Sequence, residues 1–94
     1  MPLFVYRGFD GPRGLELRKT VRDRHLAHLQ ALTDAGRVRF GGPLLDADGN
    51  PCGSLVILEA DDLESAREIA ESDPYRVEGV FEKVEVLGTR AVLP

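Results

Sequence analysis

The chain has 94 residues, which predicts a single domain over residues 1–94 with a core of modest size. Apolar residues make up 43% and charged residues 30%, so a disordered tail is excluded, and the single cysteine excludes a disulfide framework. The formal net charge of −4 disfavours binding to nucleic acid or to an anionic membrane, and we expect neither partner. The first residues lack the pattern of a signal peptide, which favours a cytoplasmic location.

The first part of the chain predicts a strand and then a long helix. Residues 3–9 are rich in aromatic and β-branched side chains, which are typical of a strand. Residues 15–35 contain no glycine or proline, and apolar residues such as Leu17 and Val21 recur there on one helical face. Gly36 follows at the position where the C-terminal cap of this helix is expected.

The middle of the chain predicts a hairpin of two strands. Residues 37–45 predict the second strand, in which the glycine pair 41–42 indicates a bulge. Residues 46–51 are dense in turn formers, and residues 53–58 form an almost continuous apolar run that is typical of a buried strand.

The last part predicts a second helix and a fourth strand. Asp61 or Asp62 can cap the helix, whose apolar face begins at Leu63. The residue before a proline avoids helical geometry, so the helix ends at the pair 73–74. Residues 80–87 alternate near their centre and predict the final strand.

The predicted order β-α-β-β-α-β is the ferredoxin-like arrangement, an α+β fold. Right-handed crossovers then give a four-stranded antiparallel sheet with both helices on one face. Residues 55–58 are all apolar, so the face without helices also needs a cover. With only two predicted helices available, we expect a second copy to be the cover, in a homodimer whose two sheets pack into an α+β barrel.

His25 lies in the middle of the long predicted helix, on its apolar face. Arg18 and Arg22 precede it on the same stripe of the helix. One interpretation is a core histidine beside arginines that extend to solvent. The other is a histidine that moves a proton, beside arginines that hold an anionic substrate. The spacing leaves both interpretations open.

Asp73 precedes Pro74 and Tyr75 at the end of the second predicted helix. This pattern is typical of an N-cap, with proline in the first position of a short helical turn. Asp73 can also pair with His25, because a carboxylate at one ring nitrogen fixes the tautomer and leaves the other nitrogen free to move a proton. The two roles do not exclude each other.

The remaining candidate ligands and nucleophiles lack partners in the sequence. His28 follows His25 by one turn, but no third ligand occurs at a recognisable spacing, so we expect no metal site and a role for His28 in packing or at an interface. Cys52 has neither a second cysteine nor basic neighbours. Ser54 has no adjacent base and is interpreted as a hydrogen-bonding pocket residue.

A set of short motifs spread over nearly the whole chain resembles the YCII (YciI-like) family. The motifs are RKTVRDRHL at 18–26, GR at 36–37, GP at 42–43, GS at 53–54, SDPY at 72–75 and GV at 79–80. Each motif is short, but their joint order and spacing are specific. The resemblance implies the dimeric ferredoxin-like α+β barrel fold of that family.

The resemblance also implies a His–Asp pair in a pocket, for which His25 and Asp73 stand at the matching positions. Arg18 is a predicted substrate-binding residue because of its place in the arginine stripe. The resemblance adds five further predicted substrate-binding residues, which are Arg22, Gly42, Pro43, Ser54 and Tyr75.

The activity that the resemblance implies is lyase-like, and the same barrel also hosts isomerases. We therefore predict a cofactor-independent enzyme that transfers a proton on a small anionic or phenolic cyclic metabolite. His25 is its base or acid, Asp73 orients His25, and Arg22 holds the substrate. The alternative is a non-catalytic small-molecule-binding or accessory subunit, which would bind a metabolite in the same pocket without turnover.

Overall fold

Four strands form one antiparallel sheet in this computed structural model, which describes residues 1–94. The elements in chain order are β1 (Leu3–Asp10), α1 (Gly14–Asp34), β2 (Val38–Leu45), β3 (Pro51–Glu59), α2 (Leu63–Glu71), α3 (Pro74–Val77) and β4 (Phe81–Thr89). The strands lie in the order β2-β3-β1-β4. The predicted ferredoxin-like α+β fold is therefore confirmed, and the short helical turn predicted after Asp73 is helix α3. None of the helices is long and apolar enough to cross a membrane.

Local hydrogen bonds end α1 and begin α2 where the sequence predicts. Gly36 has a φ of 73°, and the amides of Gly36 and Arg37 donate to carbonyls of the last helical turn. This is the Schellman arrangement, which favours glycine because of its positive φ. Asp62, and not Asp61, caps α2, since its side chain accepts a hydrogen bond from the amide of Ser65 at 2.8 Å. The same hydrogen bond lowers the pKa of Asp62.

The core lies between the sheet and the helices, in two clusters. The larger cluster joins the central strands to α2 and consists of Phe4, Tyr6, Val56, Leu58, Ala60, Ala66 and Ala70. The smaller one joins α1, α3 and the start of β4 and consists of Val21, Tyr75, Val80 and Phe81. The two clusters meet where Tyr6 of the first approaches Asp73, the residue that precedes α3.

The opposite face of the sheet carries a row of apolar side chains across all four strands. Leu87 pairs with Val5, Val5 with Ile57, and Ile57 with Phe40. Phe40 and Leu87 are 52% and 64% exposed in the single chain. The predicted apolar character of this face is thus present, and it extends over the whole width of the sheet.

Strand β2 is irregular, but not at its glycines. Gly41 and Gly42 pair in register with β3, whereas the register shifts between Val38 and Phe40 and again between Leu44 and Leu45. The prediction of a bulge at the glycine pair is therefore wrong. A Cβ added at Gly41 would meet nothing within 4 Å, so no close contact at this position requires a glycine.

Gly53 allows β1 and β3 to approach each other closely. A Cβ at this position would lie 2.6 Å from the carbonyl oxygen of Gly8, a backbone atom that cannot rotate away. Only a glycine therefore fits there without moving a strand.

We expect Gly53→Ala to lower the free energy of unfolding by about 1–3 kcal/mol, because the added methyl forces the two central strands apart. Guanidinium chloride unfolding at a fixed protein concentration measures the change. Gly41→Ala is the matched control on the neighbouring strand, where the methyl meets no atom. Equal stability of the two variants would contradict the close approach.

Candidate active site

The carboxylate of Asp73 is fully buried and accepts three hydrogen bonds. The Tyr6 hydroxyl donates to Oδ2 at 2.7 Å, while His25 Nδ1 at 2.7 Å and the amide of Tyr75 at 2.9 Å donate to Oδ1. Three donors stabilise the ionised form, which accepts hydrogen bonds only. Asp73 is therefore both the N-cap of α3 and the neighbour of His25, as the sequence allowed; a catalytic role for the pair stays a prediction.

The environment of His25 fixes the orientation of its ring. Since Asp73 accepts, the nitrogen that faces it must carry the proton, and in the neutral ring Nε2 then holds the lone pair. The ring also stacks on Tyr75, with a centroid distance of 3.8 Å and an interplanar angle of 2°. His25 thus has one face and one nitrogen engaged, and its second nitrogen has no protein partner.

Tyr6 stays protonated because of where its hydroxyl lies. The side chain is almost completely buried, and its oxygen is next to the charge of Asp73. Burial, the charge of Asp73 and the hydrogen bond to it all raise the pKa of Tyr6 far above its usual range. Tyr6 is therefore a permanent donor to the carboxylate.

A cavity of about 570 Å³ lies between α1 and the β2–β3 side of the sheet. The structure brings seven of the eight predicted site residues to its wall, and Asp73 lies behind His25. The seven are Arg18, Arg22, His25, Gly42, Pro43, Ser54 and Tyr75. Leu26, Leu29, Val38 and Val56 add apolar surface. The wall thus combines an apolar surface for a ring with a few polar groups, a combination typical of small-molecule sites.

The two arginines of the predicted stripe have different surroundings. Arg18 is held by Asp10, which accepts from Nε at 2.8 Å and from Nη2 at 2.9 Å, and the side chains of this ion pair are only 11% and 7% exposed. Burial, the largest single influence, acts against the charge of Arg18, but Asp10 and Tyr75 together raise the pKa of the guanidinium above its usual value. Arg22 is exposed and forms no ion pair within the chain, so its charge is available to a ligand.

The arginines also act on the hydroxyl of Tyr75. Burial raises the pKa of Tyr75, while the charges of Arg18 and Arg22 work in the opposite direction. Both guanidinium groups therefore lie close enough to this wall of the cavity to favour negative charge there.

Two residues of the site, Tyr6 and Asp10, were missed by the sequence analysis. Alternation along β1 places Tyr6 on the same inward face as Phe4. Because a buried tyrosine hydroxyl needs a hydrogen-bond partner, this alternation could have identified Tyr6 as part of a polar site. No comparable signal marks Asp10, which ends the strand and meets Arg18 only once α1 folds back.

The other candidates lie outside this arrangement. His28 donates from Nε2 to the carbonyl of Ile69 at 2.9 Å, a contact between α1 and α2 of the packing kind that we expected. Cys52 is a free, exposed thiol. No group of three or more His, Cys, Asp and Glu side chains is placed to hold a metal ion.

Fold and cavity define a class of protein, the ferredoxin-like α+β proteins with a pocket between the first helix and the sheet. Within this class, the model of the YCII-related domain matches residues 3–90, and the chain belongs to this family. Protein YciI of Escherichia coli O6:H1 is 42% identical over 90 residues, which cover 89% of this chain and 92% of that protein. An uncharacterised protein of Haemophilus influenzae is 39% identical over 90 residues, 88% of this chain and 91% of its own.

Solved structures extend the comparison. The 5-chloro-2-hydroxyhydroquinone dehydrochlorinase TftG of Burkholderia phenoliruptrix, in complex with 2,5-dihydroxybenzoquinone, matches with a TM-score of 0.84 and 30% identity. The match covers 94% of this chain and 93% of TftG. An antibiotic biosynthesis monooxygenase matches with a TM-score of 0.55 and 12% identity over 99% of this chain and 100% of its own, which shows the fold alone.

The raised pKa of Tyr6 predicts a loss of stability at alkaline pH. Above pH 10 or so the unfolded chain loses the tyrosine proton while the folded chain keeps it, so the unfolded state binds fewer protons and stability falls as pH rises. One such group lowers the free energy of unfolding by about 1.4 kcal/mol per pH unit. Guanidinium chloride unfolding between pH 9 and 11.5 measures the slope.

Tyr6→Phe removes this proton, so we expect a shallower alkaline slope in the variant. Below pH 9 the variant is less stable by about 1–3 kcal/mol, because Asp73 loses a donor. Parallel slopes for the two proteins would contradict the position of Tyr6 described above.

Proposed function

We propose that the protein is a cofactor-independent enzyme that transfers a proton on a small anionic or phenolic cyclic metabolite, in a lyase or isomerase reaction. The observation that carries the proposal is the His25–Asp73 hydrogen bond of 2.7 Å at the wall of the cavity. It directs one imidazole nitrogen to a buried carboxylate and leaves the other with no protein partner.

His25 is the general base in this proposal, and Asp73 orients it. A base needs a lone pair that points at the substrate and a fixed tautomer, and the hydrogen bond from Nδ1 to Asp73 supplies both. When Nε2 takes a proton from the substrate, the adjacent carboxylate stabilises the imidazolium that forms. Removal of that proton lets a leaving group depart with its bonding pair, or lets the proton return at another atom of the ring.

Arg22 supplies the positive charge for the substrate. Its guanidinium is exposed, has no carboxylate partner in the chain and borders the cavity. Removal of a proton leaves negative charge on an oxygen of a phenolic or enolisable ring, and a guanidinium stabilises such charge with two parallel hydrogen bonds. The apolar side chains of the wall suit the ring itself.

The similarity to TftG supports a substrate of this class. TftG acts on a chlorinated hydroxyhydroquinone and was solved with a dihydroxybenzoquinone, both oxygenated six-membered rings. At 30% identity over almost the full length of both chains, a related ring is a reasonable substrate class for this protein. The proposed reaction uses side chains alone and needs no cofactor. The cytoplasmic location stays a prediction.

The proposal includes a homodimer formed through the open face of the sheet. A row of four apolar side chains crosses this face, and a second sheet packed on it would remove them from water. A face that matches itself is the kind of surface that two-fold symmetric dimers use.

The first test is turnover of the ring substrate named for TftG. With 5-chloro-2-hydroxyhydroquinone we expect chloride release by this protein, and we expect His25→Gln to lower kcat by about 100-fold to 10,000-fold. Glutamine can still donate to Asp73 but cannot act as the base. His28→Gln is the matched control one turn along α1, and its kcat should stay within twofold of the unaltered protein.

Other outcomes separate the two functions considered. Full activity in His25→Gln would remove the catalytic proposal. Tight binding of hydroxylated quinones without any turnover would favour the non-catalytic binding subunit.

The second test is the oligomeric state. We expect sedimentation velocity at micromolar concentration to show a dimer, and Ile57→Lys to give a folded monomer because it places a charge in the apolar row. Thr20→Lys, an exposed change on α1, should remain a dimer. A monomer in the unaltered protein would contradict the proposed interface.

A further inference from the structure

The Ser54 hydroxyl is a buried neutral group on the wall of the cavity, with one hydrogen bond to the protein. It is 4% exposed, and Arg18 donates to its oxygen from Nη2 at 3.1 Å. A guanidinium has donors only, so the serine oxygen must be the acceptor in this contact. The hydroxyl proton therefore points away from Arg18, and no protein group accepts it.

Arg18 cannot move away from this position easily. The same Nη2 also donates to the carbonyl of Gly53 at 2.8 Å and to Oδ1 of Asp10 at 2.9 Å, so its two N–H protons are shared among three acceptors. Nε of the same group donates to Oδ2 of Asp10 at 2.8 Å. The guanidinium lies 5.0 Å from the ring centroid of Tyr75, which favours the same position. Two of the three guanidinium nitrogens of Arg18, Nε and Nη2, therefore donate hydrogen bonds to groups of the protein.

We propose that Arg18 is a positioning residue that turns Ser54 into an obligatory hydrogen-bond donor, and that the cavity therefore takes ligands with an anionic or carbonyl oxygen at this point. The inference rests on the proposed function only in that it concerns the same cavity. It gives the site a polarity, since the Ser54 hydroxyl donates while Nε2 of neutral His25 accepts. It also separates Arg18 from Arg22, although the sequence analysis assigned both to the substrate.

The charge of Arg18 strengthens the donor. A hydroxyl that accepts a hydrogen bond from a cation becomes polarised and donates more strongly to the next acceptor. Because Ser54 is only 4% exposed, a ligand that covered it without an acceptor at this point would leave the proton without any partner, which disfavours binding. Ser54 thus selects against rings with a hydrogen or an alkyl group where the oxygen belongs.

The probe for the test is 2,5-dihydroxybenzoquinone, whose ring oxygens are all acceptors once its hydroxyls ionise. By isothermal titration calorimetry we expect Ser54→Ala to weaken its binding by about 10-fold to 100-fold, the usual effect of removing a hydrogen bond to a charged group. Thr33 also borders the cavity, but its hydroxyl already donates to the carbonyl of Leu29 at 2.9 Å. Thr33→Val should therefore bind the probe within twofold of the unaltered protein.

A double-mutant cycle tests the part played by Arg18. If Arg18 acts through Ser54, Arg18→Lys weakens binding in the unaltered protein but has no further effect in the Ser54→Ala background. An additional loss in that background would show that Arg18 contacts the ligand directly and would overturn its positioning role. Should Arg18→Lys fail to fold, the Ser54 and Thr33 variants still decide the donor assignment.

The remaining outcomes are also decisive. Equal affinity of Ser54→Ala and the unaltered protein, or no binding of the probe up to millimolar concentration, would overturn the inference. Binding that depends on Ser54 without any turnover of the ring would support the inference while removing the catalytic proposal, so the two can fail separately.

Discussion

The structure depends on one buried negative charge. Asp73 has no exposed surface, and an unpaired carboxylate in that position would be strongly unfavourable. Its three donors come from three different elements: Tyr6 from β1, His25 from α1 and the Tyr75 amide from α3. Burying this charge therefore requires the sheet, the long helix and the short helix to be in place together.

This requirement explains how the candidate site is built. The two core clusters meet at Asp73, so packing on either side keeps the donors in position. Asp10 and Arg18 form a partly buried ion pair, which joins the end of β1 to α1 and to the carbonyl of Gly53. Between these two fixed points lies the cavity wall, where the protein binds Nδ1 of His25 and the hydroxyl oxygen of Ser54, while Nε2 of His25 and the hydroxyl proton of Ser54 have no protein partner.

The sequence predicted the element order because alternation in the strands, the uninterrupted helix 15–35 and the turn residues are local signals. Helix α3 was predicted only as a short helical turn after the N-cap at Asp73, since four residues cannot show a helical period. Pairings such as Tyr6 with Asp73 link residues that are 67 positions apart and follow from tertiary packing alone. Arg18 and Arg22 look alike on a helical stripe, and only the position of Asp10 distinguishes them.

The family resemblance located the cavity more accurately than the residue patterns did. Spacing left His25 open between a core role and a functional role, and the structure shows features of both, since the ring is buried and also borders a cavity. A residue at such a boundary packs against the core on one side and faces the cavity on the other. Patterns of hydrophobicity in the sequence indicate only the side that packs against the core.

Tyr75 reaches the imidazole of His25 by two separate routes. Its ring stacks on the imidazole, and its backbone amide binds the same carboxylate oxygen, Oδ1 of Asp73, that binds Nδ1. A half-turn of the imidazole would put a carbon atom against that oxygen and leave Nδ1 without its partner. Rotation of this ring therefore breaks the hydrogen bond to Asp73 and disturbs the stacking on Tyr75, so Tyr75 and Asp73 together hold Nε2 toward the cavity.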